Sequence, residues 1–144
     1  MTNINLSQAI IIIDASLSKA REKGFAPLTV VVLDAGGHIV AVKREDNSGI
    51  LRYEIALGKA WGSLGFGLGS RALASRAAKA PMFITAVAAV SEGRMVPVPG
   101  GVLIRDAESL IIGAVGISGD TGDNDELSAL AGIDAVGLKG DPGE

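Results

Sequence analysis

The sequence predicts an α/β domain of the α+β kind, an antiparallel sheet with helices packed against it. Three observations predict it. Strand-like runs come in adjacent pairs separated by turn residues, as hairpins do. Helical spacing of apolar residues opens the chain, fills its middle and closes it. No strand–helix–strand alternation is present, so a doubly wound dinucleotide fold is disfavoured.

Residues 5–23 read as a helix, because Leu6, Ala9, Ile10, Ile13, Leu17 and Ala20 recur at three- and four-residue spacing. Asn5 is placed to cap it with Gln8 as capping-box partner, and Gly24 suits the left-handed residue that ends it. Residues 29–33 form a β-branched strand, and the turn residues Asp34, Ala35, Gly36 and Gly37 lead into a second strand over residues 38–44. After a loop at residues 46–49, residues 50–64 read as a helix with Leu51, Ile55 and Ala56 inward. Gly58 and Gly62 cost this helix up to about 1 kcal/mol each against alanine, which points to the close approach of another backbone.

Gly65, Gly67 and Gly69 break the helical pattern, Ser70 is placed to cap a short helix to Lys79, and Pro81 opens another to Val90. Residues 95–98 suggest a short strand that Pro97 and Pro99 confine to an edge or loop. Residues 102–105 and 110–118 make a second hairpin. Residues 123–136 form the last helix, with acids in its first turn where the helix dipole favours them. A single domain over residues 1–137 is expected, followed by a loose tail at 138–144.

Composition narrows the function. The 144 residues contain no cysteine and one histidine, His38, which removes disulfides and thiolate sites and makes a zinc centre improbable. A net charge of −3 argues against nucleic acid. No basic region precedes the short apolar run at residues 10–13, and no stretch approaches the roughly 20 apolar residues of a membrane span, so a cytoplasmic, membrane-free protein is expected. A mean hydropathy of +0.40 in so small a domain points to apolar surface hidden in a homo-oligomer.

Several residues qualify for chemistry. His38 is either a haem ligand or a solvated turn histidine. Arg44, Asp46, Tyr53, Glu54 and Lys59 form a polar set. There Lys59, among small apolar neighbours, either pairs with a substrate carboxylate or nearby acid, or lays its stem along the surface. In a catalytic reading, Lys59 and Arg44 hold an anionic substrate while Asp46 or Glu54 acts as acid and base. The carboxylates Asp120, Asp123, Asp125 and Glu126 either cap the last helix or surround a hard cation.

Four segments together resemble the GlcG/HbpS-like family. They are Val31 to Arg44 with its Asp-Ala-Gly-Gly turn, Ile55-Ala56-Leu57-Gly58-Lys59-Ala60, Pro99-Gly100-Gly101-Val102, and Ile112 to Gly119 followed by Asp125-Glu126. They appear in the family's order from about Leu6 to Val136. The resemblance implies a profilin-like fold, a five-stranded antiparallel sheet flanked by helices, in homo-oligomers. It implies haem as the candidate cofactor for some members and a link to catabolism, without a settled reaction, for others. It places Pro99, Gly100, Gly101, Ser118 and Glu126 beside Arg44, Asp46 and Lys59 on recurrent motifs. Trp61 departs from the family pattern and is expected to reshape a candidate pocket beside it. The resulting expectation is a binder of haem or another small molecule near a subunit interface. The alternatives are a cofactor-independent isomerase, hydratase or lyase, and a purely structural oligomer.

Overall fold

The computed structural model describes residues 3–144. Among them, α1 (Leu6–Lys23) precedes the hairpin β1 (Thr29–Asp34) and β2 (Ile39–Arg44). Three helices follow, α2 (Arg52–Phe66), α3 (Ser70–Lys79) and α4 (Pro81–Val90). A second hairpin, β3 (Gly101–Arg105) and β4 (Ile111–Ser118), leads to α5 (Gly122–Asp134) and β5 (Lys139–Asp141). The strands form one antiparallel sheet in the order β2-β1-β4-β3-β5, the profilin-like arrangement that the sequence resemblance implies.

Both faces of the sheet are covered. Val30, Val32, Val115 and Ile117 pack towards α1 and α5, and Val31, Leu33, Leu103 and Ala114 pack towards α2. This explains why β1 reads as an unbroken apolar run and not an alternating one: each of its alternate side chains meets a helix. On the α2 face the sheet and helix touch backbone to backbone. A Cβ on Gly116 would overlap the Ala56 carbonyl, and one on Gly101 would overlap the carbonyl of Lys59. Gly58 and Gly62 serve the other side of α2, where residues 94–96 cross it and Val96 N donates to Gly58 O at 3.2 Å.

The Asn5–Gln8 capping box and the left-handed Gly24 form as expected. Four expectations change. Residues 138–144 are not loose: Gly140 pairs with Ile104, and α3 starts beside this segment, with Arg71 N donating to Pro142 O at 3.2 Å. Ser70 does not cap α3 but lies inside its first turn and accepts from Gly101 N at 2.7 Å. Residues 95–98 form no strand, since Pro97 lacks a donor and only Val96 finds a backbone partner on α2. Leu51 is exposed because α2 begins only at Arg52.

Candidate functional site

The turn between β1 and β2 presents the histidine. Asp34 ends β1, and its Oδ1 accepts from Gly36 N at 2.9 Å and from His38 N at 3.0 Å, which folds the chain back tightly over Gly37 at φ 82°. The same oxygen lies 3.1 Å from His38 Nδ1. An ionised carboxylate only accepts, so Nδ1 carries a proton, and in the neutral ring Nε2 presents its lone pair. Burial works against ionisation of Asp34, yet hydrogen bonds from His38 and Gly36 together hold its carboxyl below the ordinary value. The His38 side chain is 80% exposed, so Nε2 faces outward, braced from behind. A carboxylate on the far nitrogen is the arrangement that fixes tautomer and orientation in ligating histidines. Trp61, on α2, borders the same turn: with Ala35, Gly36 and Gly37 it lines a cleft of about 210 Å³.

Lys59 lies elsewhere, inside the molecule. Its side chain is 3% exposed and its Nζ donates to Asp125 Oδ2 at 3.0 Å and to Ile117 O at 2.8 Å, while Asp125 itself is 1% exposed. Burial pushes the Lys59 amine down and the Asp125 carboxyl up, and their mutual attraction opposes both shifts. The other Asp125 oxygen accepts from Asp120 N at 3.0 Å. The pair therefore ties α2 to the N-terminal turn of α5 through the end of β4. Gly100 closes over it, since a Cβ there would stand 2.7 Å from Lys59 Nζ. Pro99 packs against Gly122 at the start of α5, and Ser118 is buried with its Oγ accepting from Arg52 Nη1 at 3.1 Å.

The remaining candidates scatter. Arg44 donates to Ser48 O at 2.8 Å at the far end of β2 from His38, a separation of roughly 20 Å over six residues at ~3.3 Å each. One small ligand does not span both. Asp46 and Glu54 are exposed, on the loop and on α2, and Tyr53 packs half-buried against the core beneath α2. Glu126 is held by both Arg71 Nε at 2.9 Å and Arg71 Nη2 at 3.2 Å, an attraction that Asp123 shares and that raises the already high Arg71 pKa further.

The acidic loop before α5 serves the backbone. Thr121 is the helix cap, accepting from Asn124 N at 3.2 Å. Asp120 accepts from Ala26 N at 2.7 Å and Thr121 N at 2.8 Å, and these bonds hold its carboxyl below the ordinary value. No cluster of three metal-ligating side chains occurs among the described residues.

Thus His38 and Trp61 border the same turn, Lys59 joins Pro99, Gly100, Gly101 and Ser118 inside the molecule, and Arg44, Asp46 and Glu54 share neither place. Asp34, the brace of His38, was legible in the sequence as an acid four residues before the histidine across a Gly-Gly turn. Arg94, stacked over the Trp61 ring at 4.4 Å, had no such signal, because the chain returns to α2 only after two further helices.

The comparisons agree with this architecture. The family model described as "Haem degrading protein HbpS-like" matches residues 4–134. No curated protein matches the chain. Among solved structures, protein ORFY of Klebsiella pneumoniae is similar at 27% identity and a TM-score of 0.85, over 95% of this chain and 92% of its own. A double mutant of HbpS from Streptomyces reticuli is similar at 26% identity and a TM-score of 0.81, over 94% of this chain and 88% of its own. A PduOC–haem complex has a TM-score of 0.85 over 95% of this chain and 97% of its own, at 21% identity, a likeness of fold. With nearly its whole length matched by that family model, the chain belongs to the HbpS-like family.

Proposed function

We propose that the protein binds haem through His38, in a groove shared between copies of the chain. One observation carries the reading: Asp34 fixes the imidazole with Nε2 outward and unclaimed by any hydrogen bond among the described residues. The family and the haem complex of a protein with this fold support it. Bound haem supplies an iron centre that an imidazole can ligate. His38 would hold the haem iron, Asp34 would set the tautomer of the imidazole and Trp61 would offer a flat apolar wall beside the turn.

The enclosure fits only in part. The 210 Å³ cleft at the β1–β2 turn is small for a porphyrin and is not lined by His38 itself, so a second copy completes the groove. The chain carries the surface for such assembly. Ile50 is 95% exposed, Met82 87% and Val90 85%, apolar side chains that such an assembly would cover. The acid–base alternative lacks comparable support, because Lys59 is committed to Asp125 and Asp46 and Glu54 face solvent.

The test is an absorbance titration of purified protein with haem. A saturable Soret shift in the wild type that is lost in His38→Ala, with the oligomer intact, is the expected result. An equal shift in His38→Ala overturns the assignment.

A further inference from the structure

Trp61 has a second side. Away from the hairpin turn, α2 and α4 splay apart, and the cleft between them is lined by Trp61, Gly65, Phe66, Val87, Val90 and Arg94, with a volume of about 370 Å³. The chain holds three phenylalanines, one tyrosine and one tryptophan, and three of these gather here. Trp61 and Phe66 line the cleft, while Phe83 stands edge-on to Phe66 with ring centroids 6.3 Å apart.

Two features make this more than a packing defect. Gly65 sits in the last turns of α2, where it lowers helix propensity by about 1 kcal/mol against alanine. Its neighbours Gly58 and Gly62 are required by close contacts, but a Cβ on Gly65 would meet nothing within 4 Å, and its φ is not positive. Gly65 is exposed, at a rim that this cleft shares with the one at the β1–β2 turn, so a side chain there meets no neighbour. The second feature is Arg94. Its guanidinium lies on the Trp61 face at 4.4 Å, its Nε donates to Ser91 O at 2.8 Å, and no carboxylate pairs with it among the described residues. The Trp61 ring and the Ser91 bond hold the guanidinium in place, and its two terminal nitrogens make no hydrogen bond among the described residues, which leaves them free to grip a carboxylate.

We propose that the α2–α4 cleft is a binding site for a small monocarboxylic acid with a compact apolar or aromatic body, its carboxylate on Arg94 and its body between Trp61 and Phe66. The walls supply no second cation, which favours one acidic group over two. At about 30 Å³ per water-sized group, the space holds an occupant of roughly a dozen heavy atoms. The cleft shares Trp61 and Gly65 with the one at the β1–β2 turn, but it does not use His38 and does not depend on the haem reading.

Trp61 is the only tryptophan, so its fluorescence reports the cleft directly. The probes are 3-phenylpropanoate and its neutral amide, 3-phenylpropanamide. The expected result is saturable quenching or enhancement by the acid, with the amide weaker by about tenfold or more. Arg94→Gln removes the preference for the acid. Gly65→Leu, which places a side chain into open space, binds neither probe yet melts no lower than the wild type. His38→Ala binds the acid unchanged. Equal affinity for acid and amide in the wild type, undiminished binding in Gly65→Leu, or no saturable response to the acid overturns the proposal.

Discussion

Lys59 and Asp125 hold opposite charges where water does not reach, and neither charge is tolerable there alone. Asp125→Ala leaves the ammonium with only the Ile117 carbonyl, and a loss of about 3–5 kcal/mol in urea denaturation is expected. The double variant Lys59→Met with Asp125→Asn removes both charges and keeps an acceptor for Asp120 N, so it is expected to be more stable than Asp125→Ala. A double variant less stable than the single one contradicts this account of the pair. Asp120 works differently. Its folded pKa lies below the ordinary 3.8, so the carboxylate stabilises the fold fully above that value and loses its contribution as pH falls through the lower folded pKa. Asp120→Asn is therefore expected to melt below the wild type near neutral pH, with the gap closing as pH falls below 3.8 and through the lower folded value. A gap independent of pH contradicts it. Lys59 was legible as a lysine in small apolar surroundings. Its partner was not, because the two stand far apart in sequence and meet only once β4 delivers α5 to the sheet.

Among the elements, α2 makes the tightest contact with the sheet. Gly116→Ala drives a methyl into the Ala56 carbonyl and is expected to cost about 3 kcal/mol or to prevent folding, whereas Gly65→Ala fills empty space and is expected to gain up to about 1 kcal/mol. Thermal melts of the two variants check the contrast, and equal effects contradict it. The hairpins, α1 and its caps were legible because their signals are local: apolar period, turn residues and capping side chains. The missed features are tertiary. Ser70 has the chemistry of a helix cap, but Gly101 N takes its hydroxyl. Lys139-Gly140-Asp141 has almost no strand propensity, and only the open edge of β3 recruits it.

At the scale of the whole molecule, the residues that the sequence motifs suggested as one site fall into two regions, one reached from α2 inward by Lys59 and one bordered by Trp61 of the same helix. The Pro-Gly-Gly and Gly-rich motifs seat α2 and α5 in the interior, and the surface chemistry lies at the β1–β2 turn and around Trp61. The apolar surface of α4 adds a prediction. Met82→Glu is expected to lower the native mass of the assembly while costing the subunit no more than about 1 kcal/mol of stability, since Met82 is 87% exposed in the single chain. Native mass spectrometry with a thermal melt measures both, and an unchanged mass removes α4 from the interface.

Chemical rescue tests the central claim, that the Asp34-braced imidazole of His38 ligates haem. His38→Gly is titrated with haem and followed by absorbance, first alone and then with free imidazole added. The account predicts that the variant alone lacks the wild-type Soret and visible bands and that imidazole restores them. Wild-type bands in His38→Gly without imidazole would contradict it.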